Sequence, residues 1–84
     1  MKPLLIEVRL FAALREAAAS STVALELPAN ATVGDLRQLL VRRWPQWRTL
    51  LERCAVAVNQ AYAPDQQRLT AGDEVALIPP VSGG

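Results

Sequence analysis

The sequence of 84 residues ends in Gly83-Gly84, and the carboxylate of Gly84 is the one group whose chemistry is unusual. Two glycines without side chains let a backbone thread a channel too narrow for any other residue, and they put that carboxylate at the tip. A carboxylate is a poor electrophile until its oxygen becomes a leaving group. Acyl chemistry at Gly84 therefore needs an activating partner that uses ATP. The remaining reactive inventory is thin, with no histidine, one cysteine (Cys54), one lysine (Lys2) and eight acidic residues. A Ser/His/Asp triad, a Cys/His pair, a zinc site of Cys and His ligands and a disulfide framework all need residues this chain does not have. The residue types thus argue against an autonomous enzyme, a bound metal or a resident cofactor.

Composition narrows the setting. Hydrophobic residues make up 51% and charged residues 20%, enough apolar surface for a core and too much for a disordered chain. The length allows one domain, expected over residues 1–84 with an extended, flexible tail at 79–84. Nine basic residues against eight acidic ones give a net charge of +1. No block of either sign forms the basic stripe that nucleic acid requires. Glu7 and Arg9 interrupt the apolar N-terminal stretch, which is unlike a signal peptide, and no segment nears the ~20 apolar residues of a membrane span. A single thiol fits the reducing cytoplasm.

The elements that would present the tail follow from periodicity. Leu4 to Phe11 alternates, with Leu4, Ile6, Val8 and Leu10 on one parity and Leu5, Glu7, Arg9 and Phe11 on the other, as in a half-buried strand. Ala12 to Ala19 is alanine-rich and predicts one or two helical turns, with Ser20-Ser21 as the stop. Thr22 to Leu27 alternates again, forming a hairpin with the first strand. Thr32 and Asp35 are spaced as a capping box, so the main helix starts at Val33. Val33, Leu36, Leu39, Leu40 and Trp44 share its apolar face, and Pro45 stops it.

A short helical turn is expected within Trp47 to Arg53, a strand at Ala55 to Val58, a turn at Asn59-Gln60 and a final strand at Glu74 to Ile78. The long helix must cover the same apolar face as the hairpin, so the last strand reaches the first only through a crossover. This is α+β, a ubiquitin-like β-grasp with one main helix on one face of a mixed sheet. Pro79 and Pro80 cannot donate ladder hydrogen bonds and lift the chain off the sheet. The six residues from Pro79 through Val81, Ser82 and Gly83 to Gly84 span up to about 20 Å, enough to enter another protein. The competing reading of such an ending is an inert, frayed terminus.

Three segments carry a resemblance. They are Val8 to Glu16 (VRLFAALRE), Val58-Asn59-Gln60, and Gly72 to Gly84 (GDEVALIPPVSGG). Together they resemble the molybdopterin synthase small subunit, the MoaD family, over nearly the whole chain. The resemblance implies a sulfur carrier whose terminal glycine, here Gly84, is adenylated by an E1-like adenylyltransferase with ATP. A sulfur donor acting on the activated tail then converts it to a thiocarboxylate. It further implies that the tail enters the active site of a large subunit within a heterotetramer. There the thiocarboxylate donates sulfur to cyclic pyranopterin monophosphate to form molybdopterin, and the small subunit itself supplies no catalysis. Thiamine-pathway carriers resemble the chain at the glycines but are typically shorter and lack the context of Leu10-Phe11-Ala12 and Ile78-Pro79-Pro80. The same ending would also suit a modifier joined through Gly84 to lysines, or a non-catalytic interaction module.

Strand parity points to a docking face independently. Phe11 shares its parity with Glu7 and Arg9, and Ile78 opposes Val75 and Leu77, so both should emerge on the uncovered side of the sheet beside the tail. Tyr62 is a third candidate whose parity the turn at Asn59 leaves undecided. An exposed apolar patch of this kind marks a binding surface. Cys54 reads as a small buried hydrophobe rather than a sulfur relay, and Trp44 as core. Arg37, Arg42, Arg43, Arg48 and Arg53 read as a solvated helix face, and Asp73-Glu74 after Gly72 as turn chemistry.

Overall fold

The computed structural model describes residues 2–80. Its first strand, β1 (Leu4–Leu10), buries Leu4, Ile6, Val8 and Leu10 and exposes the residues between them. The chain then turns through α1 (Ala12–Ala18), which anchors itself by the fully buried Leu14. Ala19 ends the helix in the left-handed conformation at φ 54°, with its N–H bonded to the carbonyl of Glu16. Strand β2 (Thr22–Leu27) returns antiparallel to β1, pairing Leu4 with Leu27 through Arg9 with Thr22.

The main helix, α2 (Val33–Arg43), begins with the capping box that Thr32 and Asp35 announce. The Thr32 hydroxyl accepts from the Asp35 N–H at 3.2 Å, and the Asp35 carboxylate accepts from the Thr32 N–H at 3.0 Å. Two more of its unsatisfied N–H groups, those of Val33 and Gly34, donate to the carbonyls of Gln67 and Asp65 at 2.9 and 2.8 Å. Glycine allows that approach, since a Cβ at position 34 would sit 3.3 Å from the Asp65 carbonyl oxygen. Val33, Leu36 and Leu40 of this helix are fully buried against the sheet. Leu39 and Trp44, on the flank of the same face, are only half-buried, and the Trp44 ring stacks on Trp47 at 5.0 Å and 11°.

A 3-10 turn at Pro45–Trp47 leads into α3 (Arg48–Arg53), then β3 (Ala55–Val58), a two-residue turn and β4 (Ala61–Tyr62). The final strand, β5 (Val75–Ile78), lies between β1 and β3. It runs parallel to β1, pairing Val8 with Val75 and Leu10 with Leu77, and antiparallel to β3, pairing Val56 with Leu77 and Val58 with Val75. The five-stranded order β2-β1-β5-β3-β4, with α2 across one face, is a mixed β-grasp sheet of the kind the sequence predicts. Val75 and Leu77, buried on the helix side between two partners, sit at its centre.

Arg37 departs from the expectation of a solvated helix face. Its side chain is only 19% exposed, and one guanidinium nitrogen donates to the carbonyls of Leu51 and Cys54, both at 2.8 Å. Those carbonyls lie at the C-terminal end of α3, where a helix has no partners of its own to offer. The other terminal nitrogen reaches the Asp65 carboxylate at 3.4 Å. Arg37 thus ties α2, α3 and the loop before β5 together. Replacing Arg37 by alanine should cost about 1 to 3 kcal/mol, because two partly buried carbonyls lose a charged donor. Urea denaturation checks this, and Arg37→Lys should recover only part of the loss, since one ammonium cannot reproduce the planar fork.

Candidate functional site

The face of the sheet away from α2 is uncovered. Its residues are set by register, because the helix-facing positions of each strand fix the parity of the others. Arg9 pairs with Ala76, Ala76 with Ala57, and Ala57 with Tyr62, so these four side chains form one row across β1, β5, β3 and β4. That row settles the parity of Tyr62, which follows Ala57 onto the uncovered face and is 74% exposed. Ile78 lies opposite Ala55 on the same face and is half-buried. Phe11 stands one residue past the end of β1, in extended conformation at φ -131° and ψ 158°, and is 45% exposed.

Alanine at 57 and 76 leaves a trough between the larger side chains. Phe11, Ile78 and Tyr62 border a depression of about 320 Å³ whose remaining lining is Arg9, Gln60, Glu74 and those two alanines. The three apolar residues that the sequence singles out are therefore brought together. The polar groups around them, Arg9, Gln60 and Glu74, escaped the sequence reading. For Arg9 the parity that placed Phe11 carried the signal, for Glu74 the parity that placed Ile78, and for Gln60 only the tertiary pairing does. Leu5 is also on this face and 72% exposed, but it does not line the depression.

The turn from β3 to β4 is built by Asn59 and Gln60, with φ of 53° and 70°. Positive φ at both central residues of a two-residue hairpin is the type I′ geometry, which matches the twist of the flanking strands. Asn59 is held in place on every side. Its N–H donates to the Glu74 carbonyl at 2.7 Å, its side-chain oxygen accepts from the Glu74 N–H at 3.0 Å, and its amide nitrogen donates to Asp73 at 3.1 Å. Asp73 also accepts from the Thr70 N–H and hydroxyl, at 2.8 and 3.0 Å. Slight burial pushes the Asp73 carboxyl up, but the hydrogen bonds from Thr70 and Asn59 outweigh it and hold the pKa below its ordinary value. The hydrogen bonds themselves give Asp73 a structural role in the turn and lock the β3–β4 turn to the start of β5.

Pro79 and Pro80 follow β5 directly, at the end of the sheet where Phe11 and Ile78 lie. Val81, Ser82, Gly83 and Gly84, which the sequence assigns to tail threading and carrier chemistry, lie outside the described residues. Among the described residues, no group of three or more Asp, Glu, Cys or His side chains is arranged to hold a metal ion. None of their helices is long and apolar enough to cross a membrane.

The sheet order and the uncovered face define a ubiquitin-like β-grasp protein. Comparison with known proteins makes the assignment sharper. The ThiS family matches residues 8–84. The molybdopterin synthase sulfur carrier subunit of Escherichia coli is 41% identical over 83 residues, covering 95% of this chain and 100% of that protein. The crystal structure of SAMP1 from Haloferax volcanii superposes with a TM-score of 0.82 at 38% identity, covering 95% of this chain and 99% of the other. A complex of subunits 1 and 2 of the molybdopterin-converting factor from Helicobacter pylori contains a chain with a TM-score of 0.68 and 26% identity, covering 96% and 100%. The chain belongs to the ThiS family of ubiquitin-like sulfur carriers.

Cys54, the one thiol, is buried at 4% exposure, with its sulfur 3.1 Å from the Leu50 carbonyl. Burial pushes its pKa above the ordinary value, and the positive charge of Arg37 offsets only part of that. The neutral thiol is a weak nucleophile, so this geometry suits packing and not sulfur transfer. Native protein at neutral pH should resist iodoacetamide at Cys54, whereas urea-unfolded protein should alkylate readily, as peptide mass mapping would register. Rapid alkylation of the folded chain would contradict the buried, inert assignment.

Proposed function

We propose that this chain is the sulfur-carrying small subunit of a molybdopterin synthase. Gly84 is adenylated by an E1-like adenylyltransferase that consumes ATP, and a sulfur donor replaces the adenylate to leave a thiocarboxylate. The thiocarboxylate then gives its sulfur to cyclic pyranopterin monophosphate inside the large subunit, where the catalytic residues reside. No cofactor is held by the carrier itself. The assembly is a heterotetramer, and the cytoplasm is the compartment. The observation that carries this reading is the near full-length similarity to the Escherichia coli sulfur carrier subunit, combined with Gly83-Gly84 following the Pro79-Pro80 pair.

The structure supports a division of labour. The trough bordered by Phe11, Tyr62 and Ile78 is apolar at its margins and sits where β5 ends, so a partner that covers it also receives whatever follows Pro80. The related complex of the two converting-factor subunits makes a large subunit the natural occupant. A second reading, a modifier joined through Gly84 to lysines, is favoured by the likeness to SAMP1 and shares the same activation step.

Deleting Gly84 and replacing Phe11 by glutamate should separate the two tasks. The deletion variant should bind the large subunit with unchanged affinity and transfer no sulfur to the pterin. Phe11→Glu should remain folded yet bind at least about 30-fold more weakly, the range expected when a buried aromatic contact is lost. Titration calorimetry and a single-turnover assay of molybdopterin formation measure the two effects. Full transfer without Gly84 would leave only an interaction module, and unchanged affinity of Phe11→Glu would remove the docking face.

A further inference from the structure

Four non-glycine residues among those described adopt positive φ, namely Ala12, Ala19, Asn59 and Gln60. Such a conformation brings Cβ close to the backbone and is retained only where the surroundings require it. Ala19 is explained as the left-handed end of α1, and Ala12 stands where the chain turns from β1 into α1. Asn59 is explained by the hydrogen bonds of its amide to Asp73 and Glu74. For Gln60 the type I′ turn accounts for the backbone conformation but not for the choice of residue. Its φ of 70° stands at the second central position of a type I′ turn, where glycine is the favoured residue. Its carboxamide makes no hydrogen bond to the other described residues. The side chain instead lines the trough together with Phe11, Tyr62, Ile78, Arg9 and Glu74, with the small Ala57 and Ala76 between them.

We propose that Gln60 is a specificity-determining contact of the docking face, its carboxamide hydrogen-bonding an uncharged donor–acceptor pair of the docked large subunit, such as a main-chain peptide group. This rests on the docking role proposed above for the same face. A primary amide offers one acceptor and two donors without a charge to desolvate, so among the polar groups of the lining it, unlike Arg9 and Glu74, suits the apolar margin made by Phe11, Tyr62 and Ile78. A partner that leaves this amide unmatched on docking would strip it of water without replacement, and the complex would be weakened. The turn tolerates a strained residue because Asn59 is anchored so fully to Asp73 and Glu74, just before β5. The hairpin thereby fixes the backbone from which the Gln60 side chain reaches the trough beside Tyr62.

Thermal unfolding and titration calorimetry against the large subunit, on four variants, test the assignment. Gln60→Gly should raise the melting midpoint by about 4 to 8 °C, since glycine relieves the positive φ, yet weaken binding about tenfold. Gln60→Ala, which loses the carboxamide without the added freedom of glycine, should melt near the parent and weaken binding to the same extent. Gln60→Glu, which keeps the shape and an acceptor but loses the donors and gains charge, should also bind more weakly. Phe11→Glu reports on the face itself. If it binds weakly while Gln60→Gly and Gln60→Ala keep the parent affinity, Gln60 is a turn residue only and the inference fails. Equal or tighter binding by Gln60→Glu would overturn the uncharged donor–acceptor partner. Parent affinity in Phe11→Glu would remove the docking face and this inference with it.

Discussion

The parallel pairing of β5 with β1 is the constraint on which the rest depends. Val8 against Val75 and Leu10 against Leu77 place the last strand in the centre of the sheet. A parallel neighbour needs a crossover, and here the intervening chain supplies α2, α3, β3 and β4 before it returns. The strand gains a second partner in β3, so its backbone is paired on both edges and Val75 and Leu77 are completely buried. A chain leaving a central strand paired on both edges starts from a fixed point. The carrier chemistry proposed at Gly84 would use such an origin, because a partner's active site would have to receive the tail in one register.

Two devices hold the remaining chain to this centre. The guanidinium of Arg37 closes the end of α3 and reaches Asp65, while the N-terminus of α2 takes its missing acceptors from Asp65 and Gln67. The loop before β5 is thus bonded to the main helix by backbone and side chain together. On the sheet side, Asn59, Asp73, Thr70 and Glu74 bind the β3–β4 turn to the start of β5. Both ends of the approach to the final strand are fixed, and the trough between Phe11, Tyr62 and Ile78 inherits that rigidity. Preorganised contacts of this kind reduce the entropy lost on docking.

Much of this was legible in the residues, and the failures have physical causes. Period-two alternation identified β1, β2 and β5 and assigned Phe11 and Ile78 to the uncovered face, because one-sided burial leaves a regular signature. The Thr32 and Asp35 pair located the start of α2 because capping is local. Tyr62 could not be placed, since a two-residue turn interrupts the alternation and only the pairing of Ala57 with Tyr62 restores it. Arg37 was misread because its acceptors, the carbonyls of Leu51 and Cys54, are 14 and 17 residues away in sequence. Gln60 was invisible as a site residue because only the folded turn shows that a glutamine occupies a positive-φ position that favours glycine and that its side chain lines the trough.

The central claim is that Gly84 is a carrier terminus. Intact-mass spectrometry of the tag-free chain, incubated with its E1-like activating enzyme, ATP and a sulfur donor, tests it most directly. The account predicts exchange of one oxygen for one sulfur, located by fragmentation at Gly84 and absent without ATP. An unchanged mass, under conditions in which the same enzyme activates another carrier, would contradict it.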